Sequence, residues 1–227
     1  MQYIFPPPPI VALPVLGVDS LFPVHRVYCV GRNYAEHARE FGNDPADPPF
    51  FFLKNPDNLV SATHQVPYPP MTNDLQYEVE LVVAIQRGGR NLTVDDALGH
   101  VFGYAVGIDL TRRDLQAEAK RLSRPWAVAK AFEQSAPIGL IVSAENIGHP
   151  SRGLISLDLN GTLRQRGDLS EMLWGVPQII SSLSAYFDLA AGDIIFTGTP
   201  AGVGPTVRGD RLHAHIDNVG DLKVEIV

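Results

Sequence analysis

With 227 residues, 45% of them hydrophobic and 19% charged, the chain can bury the core of one large domain and has the balance of an ordinary globular protein. Its formal net charge of −7 argues against a nucleic-acid surface, which needs a Lys/Arg stripe able to displace phosphate counterions. A single cysteine, Cys29, excludes an internal disulfide framework and fits a reducing compartment.

Residues 1–24, punctuated by Pro6 to Pro9, read as a strand-poor arm lying on the body or reaching a partner subunit. They have neither the basic start nor the apolar stretch of a signal peptide, and no apolar run approaches membrane-spanning length. The expectation is a cytoplasmic protein with no membrane and no nucleic-acid partner. Residues 25–227 read as a single catalytic domain with no clear linker. His25–Gly31 reads as a strand in which Cys29 is a buried, inert thiol.

Ala35–Phe41 has helical character, and His37 and Glu40 stand three apart within it, on one helix face. A carboxylate so placed orients an imidazole that can take a proton from water near neutral pH. Alone, the pair reads as an ordinary exposed amphipathic turn. The breaker-rich loop Gly42–Pro49 gives it interest, since closing segments bring catalytic groups over bound substrates. Phe50–Leu53 reads as a short buried strand ended by Lys54 to Asp57.

From residue 75 onward β patterns dominate, at 75–86, 101–109, 138–143, 154–160, 194–197, 211–216 and 222–227. Two helices interrupt them, near 111–122 and 176–187. Short strands, few helices and many Gly/Pro turns predict a β-rich α+β fold, rolled or sandwich-like.

In Leu75 to Ile85, strand alternation turns Glu78 and Glu80 to one face and Tyr77, Val79 and Leu81 to the other. Like charges so close raise each other's pKa or need a cation between them. Asp109 ends a second apolar run, and three oxygen donors of this kind suit Mg²⁺, Mn²⁺ or Ca²⁺. Two blander readings stand beside this one: an edge strand with a solvated acidic face, and Asp109 as a helix cap. Lys130, amid apolar residues, is either a snorkelling surface lysine or a buried cation facing the acidic site. Gln116 follows Arg113 by three and shares its helix face. The rest of that basic cluster, Arg112, Lys120, Arg121 and Arg124, reads as a solvated face among Asp114 and Glu118. Ile195 to Pro205 runs into a glycine-rich loop without a P-loop ending; it suits a turn offering backbone amides and the Thr199 hydroxyl to a small anion. His213 and His215, with no local carboxylate, read as a solvated face. Serine-elbow, zincin and paired-cysteine motifs are missing from the sequence.

Several strings, taken in order, resemble the fumarylacetoacetate hydrolase family, in particular its short acylpyruvase-type members. They are Tyr28-Cys29-Val30-Gly31-Arg32-Asn33-Tyr34 with His37, Phe52-Leu53-Lys54, Glu78-Val79-Glu80, Gly103 to Asp109, Arg113-Asp114 with Gln116, Pro125 to Lys130, and Thr197-Gly198-Thr199-Pro200 with Gly202-Val203-Gly204. The resemblance implies a mixed β-roll and a homodimer. It implies that Glu78, Glu80 and Asp109 bind Mg²⁺, with Mn²⁺ or Ca²⁺ as substitutes. His37 and Glu40 match the family's water-activating dyad and Lys130 a catalytic cation, while Arg32, Arg113, Gln116 and Thr199 match positions around a small oxo-acid substrate. The implied reaction is carbon–carbon cleavage of an acylpyruvate by water, with fumarylpyruvate, a gentisate-type aromatic degradation product, as first substrate. Alternatives are a general acylpyruvase or oxaloacetate decarboxylase, an isomerase of dienoate diacids, and, from another class, a non-catalytic metal-binding subunit. For a distal carboxylate, Arg32, Arg39 and Arg124 are the unranked partners.

Overall fold

A computed structural model describes residues 2–36, 48–61 and 65–227. At its centre is a six-stranded mixed sheet in the order Val142–Ser143, Val101–Ile108, Val79–Ile85, Ile194–Phe196, Val27–Gly31, Phe50–Lys54. Neighbours run antiparallel except Ile194–Phe196 and Val27–Gly31, which are parallel. A five-stranded sheet follows the order Thr162–Asp168, Leu154–Leu159, Arg211–Ile216, Gly220–Ile226, Gln65–Val66. The β-rich α+β expectation holds, with few short helices.

Side-chain alternation builds two cores from the same strands. Leu81, Val83, Tyr104 and Val106 share one with Ile155, Leu157, Leu212 and Val224 of the second sheet, and Ile179, Ile180 and Leu183 of the helix Val176–Tyr186 close it. The opposite face buries Cys29, Val82, Ala84 and Phe196 against Leu13, Val15, Phe22 and Val24. Those last four come from the arm and its exit, where Ala12–Pro14 and Leu21–Pro23 pair as a short antiparallel hairpin. Truncating a fully buried residue such as Leu81 to alanine costs about 2–5 kcal/mol.

The strand expected over 75–86 is broken at Glu78. Leu75–Tyr77 pairs with Thr111–Arg112 and Gly204–Thr206 in a three-stranded sheet, whereas Val79–Ile85 enters the six-stranded one. Alternation survives the break, so Tyr77, Val79 and Leu81 still face one core. The 138–143 strand is replaced by two short pieces, Ala136–Pro137 and Val142–Ser143, and Thr162–Asp168 is a strand the sequence did not signal. Its polar run, Thr-Leu-Arg-Gln-Arg-Gly-Asp, lies at a sheet edge, where alternation is weak. The helices fall at Arg113–Arg121 and Val176–Tyr186, the second opening with Pro177 in its first turn. Among the described residues no helix is long and apolar enough to cross a membrane.

Candidate active site

Glu78, at the junction of two sheets, and Glu80, one step into a central strand, project from the face that also carries Val82 and Ala84. The edge-strand reading is thereby excluded. Asp109 follows the adjacent strand Val101–Ile108, and its N–H donates to the Glu78 carbonyl at 2.8 Å, which sets the two carboxylates side by side. It does not cap the next helix, whose N-cap residue is Arg112. Each of the three carboxylates is buried, and each offers an oxygen within 4.8 Å of the others'.

Three side-chain cations are packed around them. Lys130 is buried and donates to Glu78 Oε2 at 2.8 Å and Asp109 Oδ2 at 2.7 Å, so it is no surface lysine. Arg113 pairs with Glu78 Oε1 through Nη2, and its Nη1 donates to Gln116 Oε1 at 2.6 Å. Lys54 lies 2.9 Å from Asp109 Oδ1 and donates to the carbonyls of Leu110, Lys130 and Ser135. Burial pulls the Lys130 ammonium down, but Asp109 and Glu78 outweigh it and hold that proton above the usual lysine range.

Glu80 differs from its neighbours. Among the described residues it has no cationic partner, and it accepts from the Gly198 N–H at 2.8 Å. Burial, reinforced by Asp109 and Glu78, pushes its carboxyl well above the ordinary range, against the opposing pull of Lys130 and that N–H. Three hard oxygen donors, one of them with no ion pair among the described residues, fit a divalent cation of the Mg²⁺, Mn²⁺ or Ca²⁺ type. The Gly198 amide is thus taken by a protein carboxylate.

A cavity opens onto Glu78 and Glu80, walled by Arg32, Arg113, Gln116, Lys120, Lys130 and Thr199. The loop beneath it is fixed by a buried hub: Asn33 donates to Thr197 O at 2.8 Å and Trp174 O at 2.9 Å, and accepts from Trp174 N–H at 2.8 Å. Gly198 has φ +98°, and a Cβ there would sit 2.7 Å from Asn33 Cβ, so only glycine fits. Arg32 is also left-handed, at φ +61°, with its guanidinium 5.2 Å from the Phe50 ring centroid.

All four substrate-binding candidates, Arg32, Arg113, Gln116 and Thr199, line this cavity together with Lys130 and two of the three triad residues. Asp109 reaches the group through Lys130. Lys120, read as part of a solvated face, instead lines the cavity, 5.1 Å from the Trp126 ring centroid. Arg124 lies on an adjoining aromatic groove with Phe50 and Trp126. His37, Glu40 and Arg39 lie outside the described residues.

Two features escaped the sequence. Lys54 ends a phenylalanine-rich strand and gave no local sign of pairing with a carboxylate 55 positions away. His213 and His215 do have a carboxylate: Asp221 Oδ1 lies 2.7 Å from His213 Nε2 and 3.1 Å from His215 Nδ1. It comes from the neighbouring strand, where Asp221 stands opposite His215.

The chain is 48% identical to fumarylpyruvate hydrolase from Pseudomonas aeruginosa, whose crystal structure contains Mn²⁺ and pyruvate, with a TM-score of 0.98 over 100% of this chain and 99% of that one. It is 38% identical over 177 residues to the fumarylpyruvate hydrolase of Ralstonia sp, covering 78% of this chain and 92% of the relative. It is also 39% identical over 197 residues to the oxaloacetate tautomerase YcgM of Escherichia coli (strain K12), covering 86% and 90%. Residues 26–227 match the family model for the fumarylacetoacetate (FAA) hydrolase C-terminal domain, and the chain belongs to that family.

Proposed function

We propose that this protein is a metal-dependent hydrolase that cleaves the carbon–carbon bond of an acylpyruvate, with fumarylpyruvate, giving fumarate and pyruvate, as its preferred substrate. One observation carries the reading: Glu78 and Glu80 of the buried triad line a cavity whose other polar side chains are four cations, the Gln116 amide and the Thr199 hydroxyl, with no further carboxylate among the described residues. Such a wall suits a small oxo acid, and the likeness to the Pseudomonas aeruginosa enzyme supports the choice of substrate.

A divalent cation held by Glu78, Glu80 and Asp109 supplies Lewis acidity toward a 2-oxo-carboxylate. Arg113, kept in place by Gln116 and Glu78, orients the acid, and the Thr199 hydroxyl donates to one of its oxygens. Lys130 keeps its proton on Nζ and faces the negative charge that develops as the bond breaks. His37, oriented by Glu40, takes the proton from the attacking water. Arg32 and Lys120, on the same wall, meet the distal carboxylate of the fumaryl group. Mg²⁺ as native metal, a homodimeric assembly and a cytoplasmic location complete the proposal.

A second reading, oxaloacetate tautomerase or decarboxylase activity, is favoured by the 39% identity to the Escherichia coli tautomerase. It would use the same anion-binding wall. A panel of fumarylpyruvate, maleylpyruvate, acetylpyruvate and oxaloacetate with Mg²⁺ decides between the two. The proposal expects the highest kcat/KM for fumarylpyruvate, followed by loss of its ultraviolet absorbance. Activity confined to oxaloacetate would establish the second reading instead.

A further inference from the structure

Gln165 stands on the edge strand Thr162–Asp168, with its side chain fully buried. Its amide orientation follows from partners that have only one role each. Oε1 accepts from the Val79 N–H at 3.0 Å, a group that can only donate. Nε2 donates to the Pro200 carbonyl at 2.9 Å, a group that can only accept. The second Nε2 hydrogen reaches Thr199 Oγ1 at 2.8 Å. Thr199 Oγ1 is therefore the acceptor in that bond, and its own hydrogen points elsewhere. Among the described residues no acceptor takes that hydrogen, and Thr199 lines the cavity that Glu78, Glu80 and Lys130 also line. The same amide holds the backbone of Val79, the residue between the two glutamates.

We propose that Gln165 is a positioning residue: it fixes the Thr199 hydroxyl as a donor into the cavity and ties that donor to the register of the Glu78/Glu80 pair. The site then selects an acceptor oxygen at this point, a carboxylate or enolate oxygen, and disfavours a ligand presenting a donor-only group such as an ammonium. This rests on the oxo-acid reading of the cavity.

The test is a double-mutant cycle on binding of oxalate and pyruvate to the Mn²⁺-loaded protein, read by calorimetry. Thr199→Val removes the hydroxyl at constant shape, and Gln165→Met removes the amide at similar length. Each is expected to weaken oxalate binding by about tenfold or more, the scale of one hydrogen bond to a charged group. The double variant is expected to bind no more weakly than the weaker single, and Thr199→Ser to bind like wild type. Effects that multiply in the double variant, or a Gln165→Met protein with unchanged affinity, would overturn the inference. If Gln165→Met does not fold, Gln165→Glu replaces it in the cycle. Its side chain cannot donate to Thr199 and Pro200 together, and the same non-additivity is expected. A wild-type protein that binds neither anion overturns the oxo-acid reading and this inference together. One that binds both, with a multiplicative cycle, overturns the inference alone.

Discussion

The Lys54 ammonium lies 2.9 Å from Asp109 Oδ1, and both side chains are wholly shielded from solvent. Lys54 also donates to the carbonyls of Leu110, Lys130 and Ser135, so one cation neutralises the base of the acidic cluster and satisfies three buried acceptors. Replacing it by methionine leaves part of a buried charge uncompensated and takes a donor from each carbonyl, of which Lys130 O keeps the Ser135 hydroxyl and Ser135 O keeps the Leu110 N–H. Lys54→Met is expected to lose about 3–5 kcal/mol of stability, measured by urea unfolding of the metal-free protein. A loss below about 1 kcal/mol would show that the pair is not a structural element.

Glu80 predicts a change of the opposite sign. Its carboxylate sits among two others, and among the described residues it has no cationic partner. Glu80→Gln keeps an oxygen for the Gly198 N–H and removes the buried charge. In EDTA the variant is expected to melt higher than wild type, by a free energy on the order of 1–3 kcal/mol. With Mn²⁺ the order reverses, because wild type gains from binding and the variant does not. Thermal scans with and without metal check both halves.

Lys120 supplies a pH dependence. Burial, then the neighbouring Arg113 and Arg32, bring its ammonium down to about 8; Lys130 acts in the same sense and Glu78 against it. The side chain is charged below that pH and neutral above it. If Lys120 holds the distal carboxylate, KM for fumarylpyruvate rises as pH climbs through 8, whereas KM for acetylpyruvate, which lacks that carboxylate, stays level. Lys120→Met should flatten the fumarylpyruvate profile at the high KM, about tenfold above wild type at neutral pH. Identical profiles for the two substrates in wild type would remove Lys120 from the distal site.

Gly198→Ala tests the loop. The φ of +98° and the 2.7 Å approach to Asn33 Cβ both oppose a side chain. A cost of about 1–3 kcal/mol is expected, together with weaker Mn²⁺ binding, because displacing the loop withdraws the N–H that Glu80 accepts.

The legible parts of this site were those encoded locally. Glu78 and Glu80 were readable because strand alternation puts every second side chain on one face, and that face survives even the break between two sheets. Arg113 and Gln116 were readable because helix geometry sets their separation, and their hydrogen bond follows. What stayed hidden was set by pairing between distant segments. Lys54 reaches Asp109 across the core, Asp221 reaches His213 and His215 across a strand pair, and Gln165 reaches Thr199 from another sheet. Lys120 departs from its sequence pattern for a related reason. Charged neighbours in sequence suggested a wet helix face, but the fold turns the Arg113–Gln116–Lys120 side of that helix into the cavity.

Loaded with a divalent cation, the carboxylate triad is expected to drive acylpyruvate cleavage. Fumarylpyruvate absorbance followed with Mg²⁺, then with EDTA, then with the Glu78→Ala plus Glu80→Ala variant tests it most directly. Absorbance is expected to fall rapidly in the first case and at least a thousandfold more slowly, roughly 4 kcal/mol of barrier, in the other two. Turnover by the double variant at the wild-type rate would contradict it.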